Sequence, residues 1–501
     1  MSTIGQIERL TQTRIVKLFL EQLGYQYLGN WEDRLNNSNI EEGLLYYYLI
    51  DKAGYPEELV KRAIYKLQTE ARNYDHTLYG NNKEVYKLLR YGHEVIANPG
   101  DRYQRLHYIN WAEPEKNDFA IAEEVTIQGN REKRPDIVLY INGIAVGLIE
   151  LKRSTVSIGD GIRQNLVNQQ PEFIQSFFST IQLVMAGNDT EGLRYGTIGT
   201  PEKFFLGWKE DIEDNSQLTV DKYLVKICNK HRLLELIYDF VLFDGGIKKL
   251  PRHHRFFGIK AAQEFVLRRE GGIIWHTQGS GKSIVMVLLA KWILENNPNA
   301  RVAILTDRME LDKQIERVFN DAGVELKRTS SGRELMEQLS QPSPRLLCSL
   351  IHKFGKKDVE DFDKFIEELR SSPTKTVGDL FVFVDECHRT QSGKLHKVMK
   401  TLLQNAVFIG FTGTPLLKSD KQTSLEVFGG YPVFLRGCLP RYRVNQVNSS
   451  NRSKKKKCSK CKSGKEFRFL NDESRSSPPG FAVFFDKVFL TFWHQIKQQK
   501  P

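Results

Sequence analysis

Five short apolar runs recur after residue 250: Ile273–Trp275, Val302–Thr306, Leu346–Leu350, Leu380–Val384 and Val407–Phe411. The stretches between them are amphipathic and long enough for helical crossovers. Buried runs joined in that way build a mostly parallel α/β sheet. The first run leads into His276-Thr277-Gln278-Gly279-Ser280-Gly281-Lys282-Ser283, and a helical stretch, Ile284–Trp292, follows. Glycines after a strand let backbone N–H groups close around phosphate, so Thr277 to Gly281 would line a phosphate loop. Lys282 would reach the β- and γ-phosphates, and the Ser283 hydroxyl would ligate Mg2+. His276 stands where the strict pattern has glycine, and a Gly-rich turn capping a helix is the plain alternative. A second piece argues against that alternative. The run Leu380–Val384 ends in Asp385-Glu386-Cys387-His388, at the carboxyl end of a strand, where parallel sheets place their ligands. Asp385 is expected to hold the nucleotide's Mg2+ and Glu386 to orient or deprotonate an attacking water.

The chain before residue 250 has another character. Ile15, Val16, Phe19, Leu20 and Leu23 recur at helical spacing, with Gly24 placed to end the helix. Ile137–Ile141 and Ile144–Ile149 flank Asn142-Gly143, a strong hairpin signal. Pro135-Asp136 starts one arm and Glu150-Leu151-Lys152 ends the other. Glu150 and Lys152 lie two apart on a strand and share a face. Two carboxylates, Asp136 and Glu150, can hold Mg2+, and a nearby lysine can position water or steady charge developing on phosphate. That is the chemistry of phosphodiester hydrolysis. Register is decisive. A strict two-residue loop sets Asp136 across from Ile149 and on the wrong face, whereas a one-residue bulge sets it across from Glu150, so a bulge or an equivalent twist is expected. The letters ELKR at 150–153 recur at 325–328. There no apolar hairpin precedes them, and a solvated surface segment is expected.

The net charge of +12 comes from one place. Residues 432–501 hold 16 of the 73 Lys and Arg against 4 of the 61 Asp and Glu, and the remainder carries 57 of each. The basic balance therefore says nothing about nucleic-acid binding by the body of the chain. This tail contains Lys454–Lys457, Ser and Pro clusters, and Cys458-x-x-Cys461 without a second ligand pair. It reads as a disordered or foreign segment. Six cysteines in 501 residues, no secretory leader and no apolar run approaching the ~20 residues that span a bilayer point to the cytoplasm and away from membranes.

The motifs carry a resemblance. TQTRIVKLF, RPDIVLYINGI, LIELKRS, IRQNLVNQQPEFI, RYGTIGTPEKFFLGWKED, WHTQGSGKS, TDRMELDKQI, VDECHRTQSG and GFTGTP make residues 10–430 resemble the type I restriction endonuclease R subunit. Within it, 276–283, 304–308, 385–388 and 412–415 resemble motifs I, Ia, II and III of superfamily 2 helicases. The resemblance implies an α/β chain in three parts. These are a PD-(D/E)xK-type mixed α/β nuclease domain at 1–245, one RecA-like parallel-sheet domain at 246–431, and the basic tail at 432–501, foreign or frame-shifted. It implies ATP and Mg2+ as cofactors and double-stranded DNA as substrate, cleaved after ATP-driven translocation. The implied partners are methyltransferase and specificity subunits. It also implies that Gln164 assists the nuclease site, although its usual aromatic companion falls at Asn168. The family's glutamine associated with adenine recognition is replaced here by Arg255. Motifs IV–VI are not found, so a C-terminally truncated subunit without translocation is expected. A catalytically silent remnant that only binds nucleotide or DNA, and a standalone nuclease with a regulatory ATP site, remain as alternatives.

Overall fold

The computed structural model describes residues 8–96, 100, 102–208, 210, 218–275, 281–306, 313, 315–317, 319–320, 325–329, 331–350, 367, 376–385, 402–413 and 433–434, all within one compact unit, Met1–Leu439. Thr277, Gln278, Gly279, Ser280, Glu386 and the expected tail at 432–501, apart from Val433–Phe434, lie outside the described residues; those two residues form a strand of the second sheet, so the disordered segment expected from 432 is corrected there.

Helix α1 (Glu8–Glu21) buries Ile15, Val16, Leu18 and Phe19, and Gly24 at φ 65° turns the chain away from it. Next come β1 (Gln26–Asn30), α2 (Glu42–Tyr47), α3 (Glu57–Ala71), α4 (Leu78–Tyr91) and a small hairpin, β2 (His93–Val95) and β3 (Gln104–Leu106). A mixed sheet is completed by β4 (Phe119–Glu123), β5 (Ile137–Ile141), β6 (Ile144–Leu151), β7 (Leu183–Asn188), β8 (Gly192–Gly196) and β9 (Leu206–Gly207), in the order β1-β4-β5-β6-β7-β8-β9. Strand β6 is buried along its whole length, as a central strand covered on both faces must be. Helix α5 (Ile158–Asn168) carries the chain from β6 to its parallel neighbour β7. Ser157 caps it by accepting from the Gly159 N–H.

Two helices, α6 (Thr219–Ile227) and α7 (Lys230–Phe240), and a hairpin, β10 (Leu242–Asp244) and β11 (Ile247–Lys249), lead to α8 (His253–Leu267). The Lys248 ammonium of this hairpin is buried and donates to Asn82 Oδ1 (2.7 Å), Gln182 Oε1 (2.6 Å) and Ile181 O (3.2 Å). Three donors thus meet three acceptors and fasten the hairpin to the first sheet.

The second sheet is parallel throughout, in the order β14-β15-β13-β16-β17-β12-β18. Its strands are β12 (Gly272–Trp275), β13 (Ala300–Thr306), β14 (Leu326–Thr329), β15 (Leu346–Leu350), β16 (Asp379–Val384), β17 (Val407–Thr412) and β18 (Val433–Phe434). Helices α9 (Lys282–Asn296) and α10 (Gly332–Leu339) flank it. The expected solvated segment at 325–328 is corrected here: Leu326–Thr329 is an edge strand paired with β15. Its Lys327 and Arg328 do face solvent, and Arg328 grips Glu316 at 2.9 and 2.7 Å. A charged edge discourages further strand pairing.

One apolar cluster runs from Ile15 and Phe19 through Val85, Leu236, Phe240, Phe256 and Val285 to Phe411. The helices between the two sheets therefore share a single core. Among the described residues no helix is long and apolar enough to cross a membrane.

Candidate functional site

Asn142 (φ 53°) and Gly143 (φ 82°) both adopt the left-handed region, the signature of the type I′ turn that matches strand twist. The Asn142 amide donates to Tyr108 O and Asn117 Oδ1, each at 2.9 Å, and accepts from the Asp118 N–H at 2.7 Å. Beyond the turn the register slips. Tyr140 pairs with Ala145 but Leu139 pairs with Gly147, leaving Val146 as the extra residue, and Ile137 pairs with Ile149. This is the bulge the carboxylates require. It sets Asp136 across from Glu150, and the Leu151 N–H donates to Asp136 Oδ2 at 2.6 Å.

Four of the nuclease residues expected from sequence come together. Glu150 is fully buried. Gln164, from α5, donates to Glu150 Oε2 at 2.8 Å, and Lys152 Nζ lies 4.0 Å from the same oxygen. Gly161 faces β6 and β7 at this point: a Cβ there would sit 3.3 Å from Ala186 Cβ, tight for a side chain, and at ordinary contact distance, 3.5 Å, from Glu150 Cβ and Lys152 Cγ. Asn168 does not join them: it is buried, and neither atom of its side-chain amide has a hydrogen-bond partner among the described residues.

Burial pushes the Asp136 carboxyl up to about 6, against the pull of Lys152 and the Leu151 N–H. Burial, and then the charge of Asp136, also drive Glu150 well above the usual carboxylate range. Burial works against the Lys152 ammonium, but Asp136, Glu150 and Glu8 outweigh it and its pKa ends above the ordinary lysine value. Two buried carboxylates sharing one ammonium are short of positive charge. Glu150 Oε1 is buried without a hydrogen-bond partner among the described residues. An oxygen-seeking divalent cation fits that donor set, with Asp136 and Glu150 as its protein ligands. Among the described residues no group of three or more acidic, His or Cys side chains forms a metal cage.

Two residues at this site escaped the sequence reading. Glu8 Oε1 lies 3.2 Å from Lys152 Nζ, and Gln12 donates to Asp136 O at 3.4 Å and to Glu123 Oε2 at 3.3 Å. The available signal was spacing. Residues 8, 12, 15 and 19 fall on one helix face, so the face that carries Ile15 and Phe19 also carries Glu8 and Gln12.

The second candidate site lies at the carboxyl ends of the parallel strands. Gly281 (φ 88°) is the N-cap of α9. Lys282 Nζ is 2.8 Å from Asp385 Oδ1, and Thr306 at the end of β13 donates to Asp385 Oδ2 at 3.4 Å. Asp385 is buried and Ser283 half-buried. An ammonium, a hydroxyl and a carboxylate at a helix N-terminus suit a phosphate chain with a divalent cation.

Residues 5–203 match the family model of the type I restriction enzyme R protein N terminus, and residues 254–452 match that of the SWI2/SNF2 ATPase. The second match runs past Tyr431, where the sequence pattern was read as ending. The MjaIXP type I restriction enzyme endonuclease subunit of Methanocaldococcus jannaschii is 29% identical over 419 residues, covering 75% of this chain and 38% of that protein. The HindI endonuclease subunit of Haemophilus influenzae is 28% identical over 393 residues, covering 70% of this chain and 36% of its own. The chain thus spans less than half the length of these curated relatives. Among solved structures, the Sulfolobus solfataricus SWI2/SNF2 ATPase core in complex with dsDNA is 12% identical, covers 39% of this chain and 38% of that one, and has a TM-score of 0.29. That score is too low to add to the fold assignment, which rests on the strand order above. The chain therefore carries a stretch similar to the type I restriction enzyme R-protein N terminus, followed by one similar to the SWI2/SNF2 ATPase, and the two together match type I restriction endonuclease subunits.

Proposed function

We propose that this chain is the nuclease and first-motor portion of a type I restriction R subunit. It would cleave double-stranded DNA with Mg2+, use ATP at the Lys282–Asp385 site, and work beside methyltransferase and specificity subunits. The domain limits that go with this reading are 1–245 for the nuclease and 246–431 for the motor half. The observation that carries it is the bulge that puts Asp136, Glu150 and Lys152 at one place, with Gln164 holding Glu150.

In this reading each side chain has a task. Asp136 and Glu150 would hold Mg2+, which when bound would polarise the scissile phosphate and acidify a water. Gln164 fixes the rotamer of Glu150 and leaves its second oxygen for the cation. Lys152, kept protonated by its acidic neighbours, donates to a phosphate oxygen as negative charge builds there. At the nucleotide site, Thr277, Gln278, Gly279, Ser280 and Gly281 would line the phosphates and Lys282 would neutralise them. Ser283 and Asp385 would hold the nucleotide's Mg2+, and Glu386 would orient the attacking water.

The test is nicking of supercoiled plasmid by the purified chain in Mg2+, with and without ATP. Lys152→Ala should lower the rate by about 10²- to 10³-fold, as removal of one charge-stabilising donor does. Cleavage that persists in that variant overturns the assignment.

A further inference from the structure

Arg255 lies in the first turn of α8, yet it is a buried arginine, 9% exposed. Its guanidinium packs on the phosphate-loop glycine: a Cβ at Gly281 would fall 2.3 Å from both Cζ and Nη2 of Arg255. Gly281 caps α9, and the next residue is Lys282. Two cations from different helices therefore flank the Gly281–Lys282 step, at a helix N-terminus whose backbone N–H groups already favour an anion. Lys282 pairs with Asp385. Burial pushes Arg255 down to about 10; Arg252 adds repulsion, and Tyr195 on β8 opposes it. A polyanion arriving at Gly281 would relieve both the burial and the repulsion.

The chemistry of the guanidinium narrows the ligand. It offers donors only, in a planar fork that matches phosphate oxygens. A donor-only fork cannot accept from the adenine amino group, and its place against Gly281, at the N-terminus of α9, puts it at the phosphate end of the site rather than in a role of selecting adenine. We propose that Arg255 is a second phosphate-binding cation of the nucleotide site, acting with Lys282 so that binding follows the triphosphate chain and is indifferent to the base. This rests on the Lys282–Asp385 site binding nucleotide at all.

The experiment is displacement of a fluorescent ATP analogue from the full chain by ATP, GTP and inorganic tripolyphosphate. In the wild-type chain ATP and GTP should compete within about threefold of each other. Arg255→Gln should weaken all three competitors in parallel, by about 10- to 100-fold, the worth of a charge-assisted bond to phosphate. Arg255→Lys keeps the charge and loses the fork, so ATP and GTP should weaken together and by less. A tenfold wild-type preference for either ATP or GTP overturns the inference, as does a loss in Arg255→Gln confined to one of them. Should Arg255→Gln fail to fold, Arg255→Lys decides alone, and a split between ATP and GTP there sinks it. Lys282→Ala separates the two levels. If it abolishes binding while Arg255→Gln binds normally, this inference alone fails. If the wild type binds no triphosphate, the nucleotide-site reading fails with it.

Discussion

Arg90 joins the first helices to the helix that follows the phosphate loop, and it can be tested by a double-mutant cycle. It is 2% exposed, and its fork meets Glu295 of α9 at 2.7 and 2.6 Å. Its Nε donates to Tyr238 O at 2.6 Å, and Tyr91 donates to Glu295 Oε1 at 3.1 Å. The guanidinium also lies 4.2 Å from the ring centre of Tyr238 and 4.7 Å from that of Tyr91. Burial would raise the Glu295 carboxyl, but Arg90 and Lys291 hold it below its ordinary value. Arg90→Leu strands that carboxylate. Breaking a buried pair from one side costs about 3–5 kcal/mol. Lys291 and the 22% exposure of the Glu295 side chain place this case near the lower end, about 3 kcal/mol. Glu295→Leu takes away the fork's partner but leaves Arg90 with Asp239 at 3.9 Å and Tyr238 O, so it should cost somewhat less. The double variant removes both charges and refills the space with apolar atoms, so it should lie well above the sum of the singles, by about 2 kcal/mol or more. Urea unfolding followed by tryptophan fluorescence measures all four corners. A loss below about 1 kcal/mol in Arg90→Leu, or additivity within about 0.5 kcal/mol, would refute the claim that this pair is buried and coupled.

Two more outcomes follow from single residues. Burial pushes the Asp239 carboxyl up to about 7, with Arg90 opposing. The folded chain therefore keeps a proton that the unfolded chain releases near pH 4, and stability falls by about 1.4 kcal/mol per unit between those values and no further above them. Asp239→Asn should thus gain on the wild type between pH 5 and pH 8, read as urea midpoints at the two values; an unchanged difference counts against it. Gly143→Ala places a Cβ 2.8 Å from Leu44 Cβ and Leu45 N and 2.9 Å from Glu41 O, at φ 82°. Strain and overpacking together should cost about 2–4 kcal/mol, and plasmid nicking should fall with it because the hairpin carries Asp136 and Glu150. An alanine variant with wild-type stability would contradict that geometry.

The second sheet was legible because parallel strands covered on both faces must be unbroken apolar runs. All five runs seen in the sequence are strands, within two residues at each end. The bulge was legible too, since only one register brings two carboxylates together and chemistry can be made to choose it. Glu8 and Arg90 were not, for a shared reason. Each is a charge on a helix that reads as amphipathic by itself, and its partner stands far along the chain, Lys152 in one case and Glu295 in the other. Local periodicity tells which face is buried but not what it meets. The repeated ELKR letters make the same point from the opposite side. At 150–153 they end the central strand of a sheet, and Glu150 loses all contact with solvent. At 325–328 they form an edge strand, and Lys327 and Arg328 face water. What separated them in the sequence was the apolar run leading into the first and lacking before the second. A run of that kind marks a strand with neighbours on both sides, and such a strand buries the carboxylate at its end deeply enough to need a cation.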